Sequence, residues 1–313
     1  MINAKKAISI IVLIVTLGLF IYYIYRNFGD FKAMSVVSPL WIIVLGVIFA
    51  LNLYMNGYLL DTLMRPFGVK LKFKESFGLA TLTNFYNMIT PFRGGMAARA
   101  VYLKKKHDFT YVDFLATLSA IYVVIFLVGS VAGLVSMFAI WRLYGVFNWV
   151  IFSLFAGIFV VLLGIVAFSP RFPEGSNKWG RRIVKVVNGW HLIKNNRKII
   201  FVTAVVAGVQ LILGTFGNMV AYHVFGIQLE FWKALFISAV SSLSILVAVT
   251  PGNLGVGDAI SVFSANLVGV GLTEAVAATV LGRAVNLLVI FILGPIFSWV
   301  LLREKSEKAD NRK

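Results

Sequence analysis

Five charged side chains stand in or beside stretches that are otherwise apolar: Arg93, Arg99, Asp258, Glu274 and Arg283. A charge at the centre of a bilayer costs roughly 2.5–3.5 kcal/mol on insertion scales, so one that is kept has a partner or a task. A guanidinium matches phosphate through parallel N–H donors. Arg93 and Arg283 therefore read as receptors for an anionic group. The neighbouring Gly94, Gly95, Gly252, Gly255 and Gly257 would let backbone N–H groups approach that anion closely. A second reading stays open. Arg283 pairs with Asp258 or Glu274 and only fixes the local fold, and Arg93 lies near the membrane surface. Asn286, one turn from Arg283, is placed to orient it.

Hydroxyls and amides accompany these charges. Thr81, Thr83, Asn84, Asn87, Ser241, Ser242 and Ser244 either line a polar path or satisfy neighbouring helices. Other chemistries find no residues to carry them. The chain has no cysteine, which excludes thiolate nucleophiles and redox pairs. Its three histidines form no metal-ligand spacing, and His223 reads as a polar residue at headgroup level. The run Gly252-Asn253-Leu254-Gly255-Val256-Gly257 is not a nucleotide loop, because no βαβ unit surrounds it. The expectation is no enzyme, no metal and no cofactor.

The elements that must hold these residues are membrane helices. Of 313 residues, 60% are hydrophobic and 13% charged, with a mean hydropathy of +0.90. Soluble domains carry about 25% charge, so an ordinary soluble fold and intrinsic disorder are both excluded. The predicted fold is all-α: a polytopic membrane protein with about six full spans plus two re-entrant helical hairpins. Ala7–Tyr25 reads as a retained first helix, not a signal peptide. Ala33–Leu60, Phe114–Trp141, Leu143–Pro170, Ile199–Leu229 and Ala275–Leu302 supply the other spans. Ser76–Phe92 and Ala234–Gly257 are the candidate hairpins, since each ends in a Thr-Pro pair followed by clustered glycine.

Charge sets the orientation. With both termini in the cytoplasm and both hairpins re-entrant, 23 of the 29 Lys and Arg lie inside, four outside, and Arg93 and Arg283 within the membrane. The net charge of +17 is thus a topology signal and an attraction to anionic lipid, not a nucleic-acid footprint. The 169–198 loop is cytoplasmic, and Trp179, Ile183, Val186, Trp190 and Ile193 fall on one face of a short interfacial helix.

The chain also resembles itself. Phe67-Gly68-Val69-Lys70-Leu71-Lys72-Phe73 matches Phe225-Gly226-Ile227-Gln228-Leu229-Glu230-Phe231, and Thr90-Pro91 with Gly95 matches Thr250-Pro251 with Gly255. The first copy is flanked by eight basic residues, the second by Lys233 alone. Similar sequence with opposite charge bias predicts an inverted-topology repeat, as in many secondary transporters. A single domain, 1–313, then holds repeat one (about 39–141), the basic loop (169–198), repeat two (about 199–302) and a basic tail (303–313).

These two loops resemble the motifs of the lysylphosphatidylglycerol synthase transmembrane family, the flippase-like domain proteins. Thr90-Pro91-Phe92-Arg93-Gly94-Gly95 followed by Arg99 resembles the first motif. Pro251-Gly252-Asn253-Leu254-Gly255-Val256-Gly257-Asp258 resembles the second, and Arg283 with Gly294 the final-helix pattern. The family often has Glu where this chain has Met96, and usually Glu at the Asp258 position. The resemblance implies movement of a lipid or lipid-linked anionic headgroup between leaflets of a bacterial or archaeal plasma membrane, with no nucleic-acid partner. Arg93, Arg99 and Arg283 would hold the phosphate, and Asp258 and Glu274 would hold the arginines or exchange protons. Two rival functions remain. One is a membrane subunit of a lipid-modifying (aminoacyl- or glycosyl-) transferase with a separate soluble catalytic partner. The other is a proton-coupled small-anion transporter.

Overall fold

The computed structural model describes residues 38–168 and 196–310, residues 21–33, and positions 11, 14, 15, 18, 19, 35 and 36. The first predicted span, Ala7–Tyr25, is described only at positions 11, 14, 15, 18, 19 and 21–25, all of them helical, and the interfacial helix at 179–193 lies outside the described residues. Among the described residues all regular structure is helical. A short helix α1 (Phe28–Ala33) precedes α2 (Leu40–Met64), α3 (Phe73–Ile89), α4 (Gly94–His107), α5 (Tyr111–Tyr144) and α6 (Trp149–Phe168). After the 169–195 segment come α7 (Arg197–His223), α8 (Phe231–Leu243), α9 (Val256–Leu267) and α10 (Leu272–Asp310). Among the described residues five helices are long and apolar enough to cross a membrane: α2, α5, α6, α7 and α10.

Both predicted helix breaks are present. Ser76–Phe92 supplies only the descending limb of the first hairpin. Its ascending limb is α4, which carries Arg99 and Lys104-Lys105-Lys106 and so falls below any apolar threshold. In the second hairpin α8 descends and α9 ascends around the Pro251–Asn253 turn.

The two halves share one succession of elements. The starts of α7, α8, α9 and α10 follow those of α2, α3, α4 and α5 by 157, 158, 162 and 161 residues. Local geometry repeats with them. Gly68 (φ +77°) and Gly226 (φ +76°) end their helices in the left-handed conformation that glycine adopts without penalty. The same pair of capping bonds follows: Gly68 N–H to Arg65 O and Val69 N–H to Met64 O, then Gly226 N–H to His223 O and Ile227 N–H to Tyr222 O. Next, Lys72 and Glu230 take extended N-cap angles, and helices start at Phe73 and Phe231.

Packing is reciprocal. The descending limb α3 lies against α2 and α10, and the descending limb α8 lies against α7 and α5. Each hairpin therefore touches the long helix that follows the other one. The largest apolar cluster spans both halves, joining Leu45, Phe126, Phe155, Phe236 and Val262 to helix α10 through Val276 and Val285. The two breaks meet: the second contacts both α3 and the first break.

Candidate functional site

Each break is built by the same physics. Thr90 and Thr250 leave helical geometry (φ/ψ −123°/140° and −90°/157°), as residues before proline do. Two consecutive left-handed residues follow in both turns, Phe92 and Arg93 in the first and Gly252 and Asn253 in the second. Such pairs reverse the chain within one turn. At Gly252 glycine is favoured on two grounds. Its φ is +57°, and a Cβ there would sit 2.1 Å from Met88 Sδ of the first hairpin. Gly95 is demanded by close approach instead, because a Cβ would lie 2.0 Å from the backbone oxygen of Thr83.

Arg283 reaches from α10 into the second break. Its Nε and Nη2 donate to Asp258 Oδ1 at 2.9 and 2.5 Å, and its Nη1 donates to the carbonyl of Gly252 at 3.1 Å. Asp258 also caps its own helix, since Oδ2 accepts the Gly255 N–H at 2.9 Å. Of the two carboxylates expected beside Arg283, the partner is thus Asp258. Glu274 turns to the start of α10 and accepts the Gly271 N–H at 3.2 Å. Asn253 donates to Ser244 Oγ at 2.9 Å, while its Oδ1 is buried with no partner.

These groups face an open-mouthed cavity of about 560 Å³ bounded by α2, α5, α7, the second hairpin and α10. Gly252, Asn253, Gly257, Asp258, Arg283 and Asn286 line it, as do Ser241, Ser242 and Ser244. Met88 at the tip of the first hairpin closes one side. Arg93, Gly94, Gly95, Arg99, Pro251, Gly255 and Glu274 do not reach its wall. Lining residues that the sequence reading passed over are Asn52 and Asn56 on α2, Gln210 and Asn218 on α7, and Ser238, Ser261 and Thr279. Their signal was available: Asn52 and Asn56 stand one helical turn apart inside a span, where polar side chains face the bundle interior.

The first hairpin gathers its own cations. Arg93 donates to the Tyr122 hydroxyl, and its guanidinium carbon lies 5.7 Å from that ring's centre. Arg99 is 5% exposed, donates through Nη2 to Met96 Sδ at 2.9 Å, and leaves Nε without a partner. Neither arginine forms an ion pair with a described carboxylate. Met96 therefore occupies the position from which an acid would have neutralised Arg99.

The family described as Lysylphosphatidylglycerol synthase TM region matches residues 7–294, nearly the whole chain. This chain belongs to that family. Membership makes it an integral, multi-pass membrane domain of a lipid-related family, in agreement with its five described spanning helices. No curated relative and no solved structure matches it. Within this lysylphosphatidylglycerol synthase TM-region protein the matched stretch contains both hairpins, the cavity and Arg283.

At the base of the first hairpin a polar cluster ties α3 to α4. Buried Glu75 accepts from His107 Nε2 at 2.7 Å, the Tyr102 hydroxyl at 3.0 Å and Lys106 Nζ at 3.1 Å. Burial pushes the Glu75 carboxyl up, but the bonds and charges of His107 and Lys106 outweigh it and hold it below the usual glutamate range. Burial first, and then Glu75, pushes the Tyr102 phenol up to about 12.

Proposed function

We propose that this protein moves a lipid or lipid-linked anionic headgroup between leaflets, and that the headgroup passes through the cavity at Arg283. One observation carries the reading. A largely apolar cavity studded with amides and hydroxyls lies among the spanning helices where the two broken hairpins meet, and among the described residues Arg283 is its one basic lining side chain. A guanidinium has five N–H groups, and Arg283 commits three of them to Asp258 and Gly252. The other two are left for a phosphate. Irregular backbone at membrane depth is tolerated where it is buried in protein or lines a cavity, as the second break does here.

The repeated succession of elements and the charge bias support opposite orientation of the two hairpins, with both termini in the cytoplasm. Alternating access then amounts to rocking one hairpin against the other across the Met88–Gly252 contact.

The test is translocation of fluorescent phospholipid across vesicles containing the purified protein. Wild type is expected to move anionic lipid faster than empty vesicles. Arg283→Ala is expected to lose that excess and Arg283→Lys to keep a fraction of it. Full transport by Arg283→Ala overturns the proposal.

A further inference from the structure

The cavity wall says more about the headgroup than its one cation does. Its only charged lining residues among those described are Arg283 and Asp258, and they neutralise each other. The rest of the polar lining is neutral and unusually rich in amides. Asn52 and Asn56 on α2, Gln210 on α7 and Asn286 on α10 face the cavity, and none hydrogen-bonds to another described residue. Ser241 Oγ and Asn253 Oδ1 are buried against it with no partner. Three different spanning helices and the second hairpin thus present unspent donors and acceptors to one space.

Each primary amide offers two N–H donors and one carbonyl acceptor, and each hydroxyl does both jobs. A bare phosphate takes the N–H groups of Arg283 and of the amides but leaves the amide carbonyls and the hydroxyl acceptors without donors. An ammonium offers donors alone. A quaternary ammonium offers neither and calls for an aromatic cage. The ligand that satisfies this wall carries groups that donate and accept at several points around a compact body. From this we infer that the headgroup is a polyol, a glycosyl or inositol-like ring bearing a phosphate, with the phosphate at Arg283 and the hydroxyls on the amides. The volume of about 560 Å³ lies within the range of about 300–1,000 Å³ typical of pockets that enclose a small molecule. The inference rests on the proposed site but not on the transport step.

A native chain without cysteine allows a direct test. Ser241→Cys places one thiol on the cavity wall, and its labelling by a small methanethiosulfonate reagent is timed in purified full-length protein. Competitors at equal concentration are myo-inositol 1-phosphate, glucose 1-phosphate, glycerol 3-phosphate, phosphocholine and inorganic phosphate. The two ring phosphates are expected to slow labelling at least about tenfold more than the others, because a site built for hydroxyls discriminates strongly against analogues that lack them. Thermal stabilisation of the cysteine-free protein by the same compounds gives a second readout. There Gln210→Leu is expected to abolish the preference for ring phosphates. Equal protection by inorganic phosphate, or no protection and no stabilisation by any competitor, overturns the inference.

Vesicle assays separate the sources of the ring. If phosphatidylinositol crosses faster than phosphatidylglycerol, the ring is a lipid headgroup. If soluble ring phosphates protect and stabilise while no lipid crosses, the polyol site stands for a free solute and the lipid-moving function falls. If all lipids cross equally and nothing protects, that function stands and the polyol site falls.

Discussion

Arg283 binds one oxygen of Asp258 through two nitrogens, while the other oxygen of the same carboxylate caps the helix that carries it. A single acid therefore fixes the ascending limb of the second hairpin to the last spanning helix. The side chains are 20% and 15% exposed, so the pair is largely withdrawn from water.

Removing either partner should be costly. Arg283→Ala strands a mostly buried carboxylate, a change that typically costs about 3–5 kcal/mol. Asp258→Asn leaves the cap able to accept and should cost less. In the double variant Arg283→Gln with Asp258→Asn no charge remains unpaired, so it should be more stable than Arg283→Ala. Thermal unfolding in detergent, with all variants side by side, orders the three.

Gly252→Ala tests the hairpin-to-hairpin contact. The new methyl meets Met88 and forces an unfavourable left-handed alanine, so a loss of roughly 1–3 kcal/mol is expected. Met88→Ala added to Gly252→Ala should recover the steric part and leave the backbone part. Identical stability of the single and double variants would mean that the tips do not press on each other.

Gly95→Ala should be worse than Gly252→Ala, because its methyl meets the Thr83 carbonyl oxygen, which cannot rotate away as a methionine can. The expected result is loss of folded protein on size-exclusion chromatography in detergent. Normal elution and normal melting would show that α3 and α4 separate freely.

The Glu75 cluster predicts acid sensitivity of one sign. Its carboxyl is held below the ordinary glutamate range in the fold. The stabilisation is therefore complete above that range and is lost as pH falls through the lowered value. Glu75→Gln should melt at a lower temperature than wild type near neutral pH. The gap should close in acid. A gap that widens on acidification would reverse the assignment of Glu75 as the charged partner of Lys106 and His107.

Orientation is read at two matched positions. Lys72 and Glu230 are exposed N-cap residues at the bases of the first and second hairpins. An impermeant thiol reagent should reach Lys72→Cys only from the cytoplasmic side and Glu230→Cys only from the opposite side. Labelling of both from one face would remove the inverted arrangement.

Much of this molecule was legible in its residues. Apolar length defined the spans, because lipid offers the backbone no partner outside a helix. Thr90-Pro91 and Thr250-Pro251 located both breaks, because proline bars the preceding residue from helical angles. The 158-residue echo of Phe67–Phe73 fixed two identical helix caps, since Gly68 and Gly226 act through local backbone geometry alone. What chain-local physics does not contain is pairing across space. Arg283 had two acids within reach on paper, and only the approach of α10 to the second break selected Asp258 and released Glu274. The ascending limb α4 was hidden by its lysines, since no apolar scan registers a helix sheltered by its neighbours. The cavity was hidden for a similar reason. Asn52, Gln210 and Asn286 are far apart along the chain, and only the crossing of three spanning helices turns scattered amides into one wall.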